Sequence, residues 1–169
     1  MLALVASVCL VLPSGASIVD AFRAPECERC AGNRGIEYAV VSGTPVVSGL
    51  RGSVTFAGRV AGRNYVVVRA AADSRVRVTY GGLATVSVAR GDMLRTGDAL
   101  GTAGATLHVG MRVGEAYVDP RGSAHGGSGR AAPRDAPQYA PQYAPQSAAR
   151  PRFRVTLGTV PAPAEACAR

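Results

Sequence analysis

Residues 74–101 read SRVRVTYGGLATVSVARGDMLRTGDALG, and this stretch decides the fold class. Its opening alternates polar and apolar side chains with the two-residue period of a strand that buries one face. Arg75, Arg77 and Thr79 share one face, and Val76, Val78 and Tyr80 share the other. Two turn signals of similar form follow, Arg90-Gly91-Asp92 and Thr96-Gly97-Asp98. Short strands separated by such turns indicate a β-structure.

The flanking segments extend this pattern in both directions. GTPVVSG and GSVTFAGRV read as short strands bounded by glycine, and TLHVGMRV alternates again. RNYVVVRA is more continuously apolar, which predicts a strand covered on both faces. The 21 Gly and 11 Pro interrupt the chain too often for long helices. We therefore predict an all-β fold, an antiparallel β-sandwich or open barrel with a groove.

Composition divides the chain into five regions. Residues 1–17 are an uncharged apolar run that ends in small residues, which predicts a signal peptide and a secreted or cell-envelope location; a buried N-terminal strand is the alternative. Residues 22–120 form the β-domain. Residues 121–150 are a Pro/Gln/Gly-rich, low-complexity segment predicted to be disordered. Residues 151–160 regain alternation as a possible returning strand, and 161–169 are a tail.

The basic charge and the cysteines leave several interpretations open. The net charge is +8, carried entirely by arginine, but the arginines are scattered and few aromatics lie among them, so nucleic acid is a disfavoured partner. Membrane contact is expected only through an uncleaved N-terminus. Cys27 and Cys30 have the spacing of a local disulfide or of half a zinc site, and pairing with Cys167 is a further alternative.

Three motifs carry a family resemblance. GNRGIEYAVVSGTPVVSGLRGSVTFAGRVAG (32–62), VTYGGLATVSVARGDMLRTGDALGTAG (78–104) and LHVGMRVGEAYVDP (107–120) resemble, in order and in glycine positions, the β-domain of lysostaphin/LytM-type zinc metallopeptidases. That family, of the duplicated hybrid motif type, consists of peptidoglycan endopeptidases. The resemblance implies the same fold, a zinc cofactor and a cell-wall substrate.

The resemblance also implies which residues stand at the family's functional positions. The three zinc-ligand positions are occupied by Asn33, Glu37 and His108, and this set is poorly suited to zinc because an amide oxygen replaces an imidazole. The two further histidine positions hold Gly82 and Thr106, neither of which can act as a general base or acid. The resemblance therefore predicts a degenerate member that has no catalytic residues and no resident cofactor.

Two function classes follow from this combination. The leading hypothesis is a secreted, catalytically inactive homologue that binds peptidoglycan or a partner cell-wall hydrolase. The alternative is an active zinc metalloendopeptidase that cleaves peptidoglycan cross-link peptides, with zinc held by Asn33, Glu37 and His108. A substitute zinc site made of Cys27, Cys30 and His108 is a third possibility. His108 itself is either a residual ligand or groove contact, or a leftover hydrogen-bonded histidine.

Overall fold

The structure, a computed structural model, describes residues 7–27, 29–121 and 154–159, with backbone alone for 7–9 and 154–159. It contains eleven strands: β1 (Ser7–Leu12), β2 (Ser17–Asp20), β3 (Gly35–Ala39), β4 (Pro45–Val47), β5 (Gly52–Val60), β6 (Arg63–Ala70), β7 (Val76–Val86), β8 (Met93–Leu94), β9 (Ala99–Val113), β10 (Ala116–Val118) and β11 (Arg154–Thr159). The described residues include no helix, so none there could cross a membrane. The predicted all-β class is confirmed.

The main sheet is built around β9, the longest strand. Its hydrogen-bonded order is β2-β3-β9-β7-β6-β5-β8, and β4 and β10 also pair with β9. All of these pairings are antiparallel, as predicted. Hairpins join β5 to β6 and β9 to β10, whereas β3, β4 and β7 each pair with β9 although none of them directly precedes it in the chain. The arrangement brings β3, β9, β7 and β6 side by side, and these four strands carry the site described below.

A second, two-stranded sheet pairs β1 with β11 in parallel. Leu10 of β1 is only 1% exposed and joins the main core. Residues 7–12 of the segment that the sequence predicts as a leader thus form a strand in this structure, and export stays a prediction. β11 lies within the region 151–160 predicted to contain a returning strand. The predicted low-complexity segment lies outside the described residues from 122 onward, as does the tail.

The core forms from one face of each long strand. On β7 the predicted alternation is confirmed, since Val76, Val78 and Tyr80 are at most 2% exposed while Arg77 and Thr79 are half-buried. The prediction that β6 is covered on both faces was wrong. Its residues Val66, Val68 and Ala70 enter the core, whereas Tyr65 and Val67 on the opposite face are only half-buried. The continuous apolar run arises because that second face lines a groove.

The two Gly-Asp turns adopt the same geometry twice. Gly91 has φ +100° and Gly97 has φ +93°, conformations that glycine adopts at no steric cost. Each aspartate closes its turn through one carboxylate oxygen, Asp92 Oδ2 accepting from Ala89 N at 2.8 Å and Asp98 Oδ2 from Arg95 N at 2.7 Å. Both predicted turns are therefore confirmed.

A buried hydroxyl ties the β7 strand to the loop after β4. Gly49 N–H donates to Tyr80 Oη over 2.8 Å, and burial of the phenol raises the pKa of Tyr80 to about 12. The loss of solvation disfavours the phenolate because the core offers no compensating cation. Tyr80 is thus a core residue whose polar end has a defined partner.

Candidate functional site

The candidate residues lie on the face of the main sheet opposite the core, here called the groove face. On β9, Leu107, Val109 and Met111 are buried, so His108, Gly110 and Arg112 point to the groove face, as the alternation predicts. The strand register places Glu37 of β3 directly opposite His108, and Gly81 of β7 opposite it on the other side.

Glu37 and His108 form a direct hydrogen-bonded pair. His108 Nδ1 and Glu37 Oε1 are 2.8 Å apart, and the two side chains are 17% and 22% exposed. The second carboxylate oxygen, Oε2, is buried without a hydrogen-bond partner among the described residues, and Arg63 Nη2 lies 4.0 Å from it. The carboxylate fixes the orientation of the imidazole, which is the usual effect of such a pair.

Two glycines make room for the imidazole ring. A Cβ added at Gly35 would lie 2.5 Å from His108 Cε1, and one added at Gly110 would lie 3.1 Å from His108 Nε2. These glycines face each other across β3 and β9. The ring therefore lies over bare backbone, with Nδ1 toward Glu37 and Nε2 over Gly35 and Gly110.

Asn33 is engaged by the backbone. Its Nδ2 donates to Asp20 O at 3.3 Å and to Ala21 O at 3.1 Å, while its Oδ1 accepts from Gly35 N at 3.3 Å. Its own backbone pairs with that of Arg23 in an isolated bridge. Both ends of the amide are thus used to fasten the segment after β2 to the start of β3.

Gly82 and Thr106 meet through their backbones. Gly82 has φ +74°, and a Cβ there would lie 2.2 Å from Thr106 O, far closer than atoms can approach. Position 82 therefore accepts only glycine with this backbone path. Neither residue brings a proton-transfer group to the pair formed by Glu37 and His108.

The donor set does not fit a catalytic zinc centre of the predicted kind. Such a centre needs three protein ligands and an open position, and the Asn33 oxygen already accepts a backbone N–H. Cys27 and Cys30 form a disulfide with Cα atoms 4.9 Å apart, which confirms the local pairing and removes both as thiolate ligands. Across residues 7–27 and 29–121, no three His, Cys, Asp or Glu side chains converge as a metal-binding group.

The groove face also carries three arginines that were not predicted as a group from the sequence. Arg112 of β9 lies directly opposite Arg77 of β7, and Arg77 lies opposite Arg69 of β6. The alternation of single strands places each arginine on the polar side of its own strand. Only the register shows that the three are adjacent, and no local signal in the sequence predicts it.

Comparison with known proteins identifies the family and the fold. The family model for peptidase family M23 matches residues 31–120, more than half of the chain. A search of curated proteins finds no significant match. Among solved structures, a zinc-containing peptidase from Vibrio cholerae is similar with a TM-score of 0.55 and 24% identity, over 64% of this chain and 37% of that one. The chain thus spans little more than a third of that relative.

Two further solved structures are matched over about nine-tenths of their own length. The catalytic domain of the antimicrobial peptidase lysostaphin from Staphylococcus simulans aligns with a TM-score of 0.55 and 20% identity, over 62% of this chain and 89% of that one. A chain from the complex of SpoIIIAH and SpoIIQ aligns at 0.54 and 20%, over 63% and 91%. At these identities the likeness establishes the fold, and the family match over residues 31–120 confirms the resemblance seen in the sequence: the chain belongs to peptidase family M23.

Proposed function

We propose that this chain is a non-catalytic M23 homologue that is exported and binds the cell wall through its groove face. The observation that carries the proposal is the use of Asn33, whose amide is hydrogen-bonded at both ends to backbone groups. In the family this position supplies an imidazole ligand. In this chain its side chain instead links the segment after β2 to the start of β3. Gly82 is fixed as glycine by its backbone, and the described residues bring neither a third ligand nor a second histidine to the site.

The groove face supports a binding role because it stays open and partly apolar. The ring of Tyr65 covers Gly81, where an added Cβ would lie 2.3 Å from the ring, and Val67 continues the same face. Half-buried aromatic and polar groups in a concave site suit recognition of an extended peptide. Peptidoglycan, with its short stem peptides, is the proposed ligand.

A partner hydrolase is the other occupant that this proposal considers. One structural relative is named for its complex, that of SpoIIIAH and SpoIIQ, so a domain of this fold occurs in a protein–protein assembly. Direct binding to the wall and binding to a hydrolase differ in a simple way. A protein that binds the wall directly is retained on purified sacculi that carry no other protein, whereas one that binds only a hydrolase is not.

Sedimentation with purified sacculi tests the proposal. We expect the wild-type protein to sediment with sacculi, Tyr65→Ala to lose most of this retention, and the control Met93→Ala to keep it. Met93 is 71% exposed on β8, away from the four strands of the groove, so its truncation is a matched loss of apolar surface. Equal retention of both variants would contradict binding through the groove, and absence of wild-type retention would contradict wall binding.

An active zinc endopeptidase is the second candidate, and one observation favours it. Glu37 and His108 remain adjacent on the groove face with Nδ1 and Oε1 2.8 Å apart, so two of the family's three ligand positions still meet. Zinc-loaded protein would then release soluble peptides from sacculi, and His108→Ala would abolish the release. That result, together with stoichiometric zinc after dialysis, would overturn the non-catalytic proposal.

A further inference from the structure

A row of three arginines crosses the groove face beside the pair formed by Glu37 and His108. Directly opposed positions on β9, β7 and β6 hold Arg112, Arg77 and Arg69. Each of them is next in sequence to a core-facing residue, and because side chains alternate along a strand, all three lie on the groove face. Like charges directly opposite each other across a sheet are destabilising. Three such residues in one row therefore need an explanation beyond the fold.

The row is poorly neutralised by the protein itself. Arg112 pairs with Glu115, whose side chain is 88% exposed, and in the described part of the chain no ion pair joins Arg69 or Arg77 to a carboxylate. Arg112 Nε is buried and makes no hydrogen bond to any described residue. A buried N–H without a protein acceptor is uncommon in folded proteins, and its partner is then an ordered water, an ion or a ligand.

Arg77 and Arg112 of this row border a pocket of about 290 Å³, which also contacts Arg34, Thr79, His108 and Tyr117. The guanidinium carbons of Arg34 and Arg112 lie 5.4 Å and 4.9 Å from the centre of the Tyr117 ring, so the ring holds the two cations in place. An arginine side chain offers N–H donors and no acceptor. The pocket is therefore built to receive an acceptor-rich, negatively charged group.

We propose that this pocket binds a carboxylate of an extended peptide between Arg77 and Arg112. Guanidinium groups hold carboxylates in bidentate fashion, and the planar geometry suits a flat two-oxygen group. Val67 and the Tyr117 ring add apolar walls for the carbon skeleton that carries the carboxylate. The volume is near the lower limit for ligand pockets, and the lining extends from Arg112 to His108, which suits part of an extended peptide.

The spacing relative to His108 defines the length of the peptide. His108 and Arg112 are four residues apart on β9, about 13 Å along a strand. An extended peptide of about four residues spans the same length, so its carboxylate can lie on the arginines while its other end reaches His108. The inference rests on the proposed wall-binding function, because a peptidoglycan stem peptide has this length and carries free carboxylates.

Fluorescence anisotropy with synthetic peptides tests the carboxylate site. The probe is labelled L-Ala–γ-D-Glu–L-Lys–D-Ala with a free terminal carboxylate, compared with its C-terminal amide and with the analogue in which D-isoglutamine replaces the glutamate, so that its free α-carboxylate becomes an amide. We expect amidation at one of these two positions to weaken binding about tenfold or more, since a charge-assisted pair is lost. The affected position identifies which carboxylate enters the pocket.

Matched variants separate this site from general basic attraction. Arg77→Gln and Arg112→Gln are expected to weaken binding of the free acid by about tenfold each. Arg59→Gln, which removes one charge from an exposed position near the tip of the β5–β6 hairpin, is expected to change it by less than about twofold. Far-UV circular dichroism and thermal melting confirm that each variant is folded.

Three outcomes would overturn the inference. The first is equal binding of the acid and both amides, and the second is equal weakening by Arg59→Gln. The third is displacement of the peptide by inorganic phosphate at a concentration comparable to that of the peptide itself, which would assign the pocket to phosphate. If the wild-type protein still sediments with sacculi, and Arg77→Gln does too, the wall-binding proposal stands and the carboxylate site alone fails. If neither sacculi nor peptides bind, both fail.

Discussion

Gly82→Ala is expected to destabilise the protein by clearly more than Gly62→Ala. Both glycines have left-handed φ values, +74° at Gly82 and +85° at Gly62, so both substitutions incur the roughly 1–2 kcal/mol that an L-residue loses there. The new methyl at position 62 would meet nothing within 4 Å, whereas at position 82 it would lie 2.2 Å from Thr106 O. Relieving that overlap by moving backbone costs a further ~1–3 kcal/mol.

Urea unfolding followed by circular dichroism measures this difference directly. For a denaturant dependence of about 2 kcal/mol per molar, an extra 2 kcal/mol lowers the midpoint by about 1 M relative to Gly62→Ala. The smaller unfolded-state entropy of alanine affects both variants equally and cancels in the comparison. Equal midpoints would refute the close approach of β7 and β9 at this point. They would also show that position 82 can hold a side chain such as histidine without a change of backbone.

Three further predictions concern the core, the Asn33 anchor and the arginine row. Burial raises the pKa of Tyr80 to about 12, against about 10 in the unfolded chain, so its contribution to the unfolding free energy is fully present below pH ~10 and falls by ~1.4 kcal/mol per pH unit as the pH rises toward 12. Urea midpoints at several alkaline pH values should show this slope. Tyr80→Phe should flatten the slope, and at neutral pH it should lower the unfolding free energy by ~1–3 kcal/mol because Gly49 N–H loses its acceptor. Asn33→Ala should lower the unfolding free energy by ~2–3 kcal/mol, because two carbonyls and one N–H lose their partner, and an unchanged urea midpoint would show that the anchor is dispensable. Arg77→Gln should raise the unfolding free energy by ~0.2–1 kcal/mol by removing like-charge repulsion across the sheet, and a lower melting temperature would indicate that the arginine is structurally paired.

The fold could be predicted because its information is local. The alternation at residues 75–80 depends on neighbours in the chain, and so do the two Gly-Asp turns, whose glycines and aspartates act within four residues. The failure at β6 has an equally simple cause. A run such as Tyr65–Val68 is apolar whether its second face meets another layer or a groove, so composition alone does not distinguish the two.

The candidate site could be predicted only in part, because contacts across the sheet depend on register. The family resemblance pointed to Glu37 and His108, and the structure brings them together. It also pointed to Asn33 as a ligand position, but the amide turns to the backbone of a segment more than ten residues away. The arginine row was missed for the same reason, since its members come from three strands that only the folded sheet aligns.

The two glycines beneath His108 affect what happens when the imidazole is removed. When a side chain that packs on other side chains is truncated, its neighbours can move in and fill the space. Gly35 and Gly110 have no side chains that could move, and their backbones are held by the hydrogen bonds between β3 and β9. Truncation of His108 would therefore leave a preserved hollow the shape of a five-membered ring, open toward the groove. Free imidazole added to such a variant could bind in this cavity beside the Glu37 carboxylate and replace the missing side chain, which makes His108 a candidate for chemical rescue.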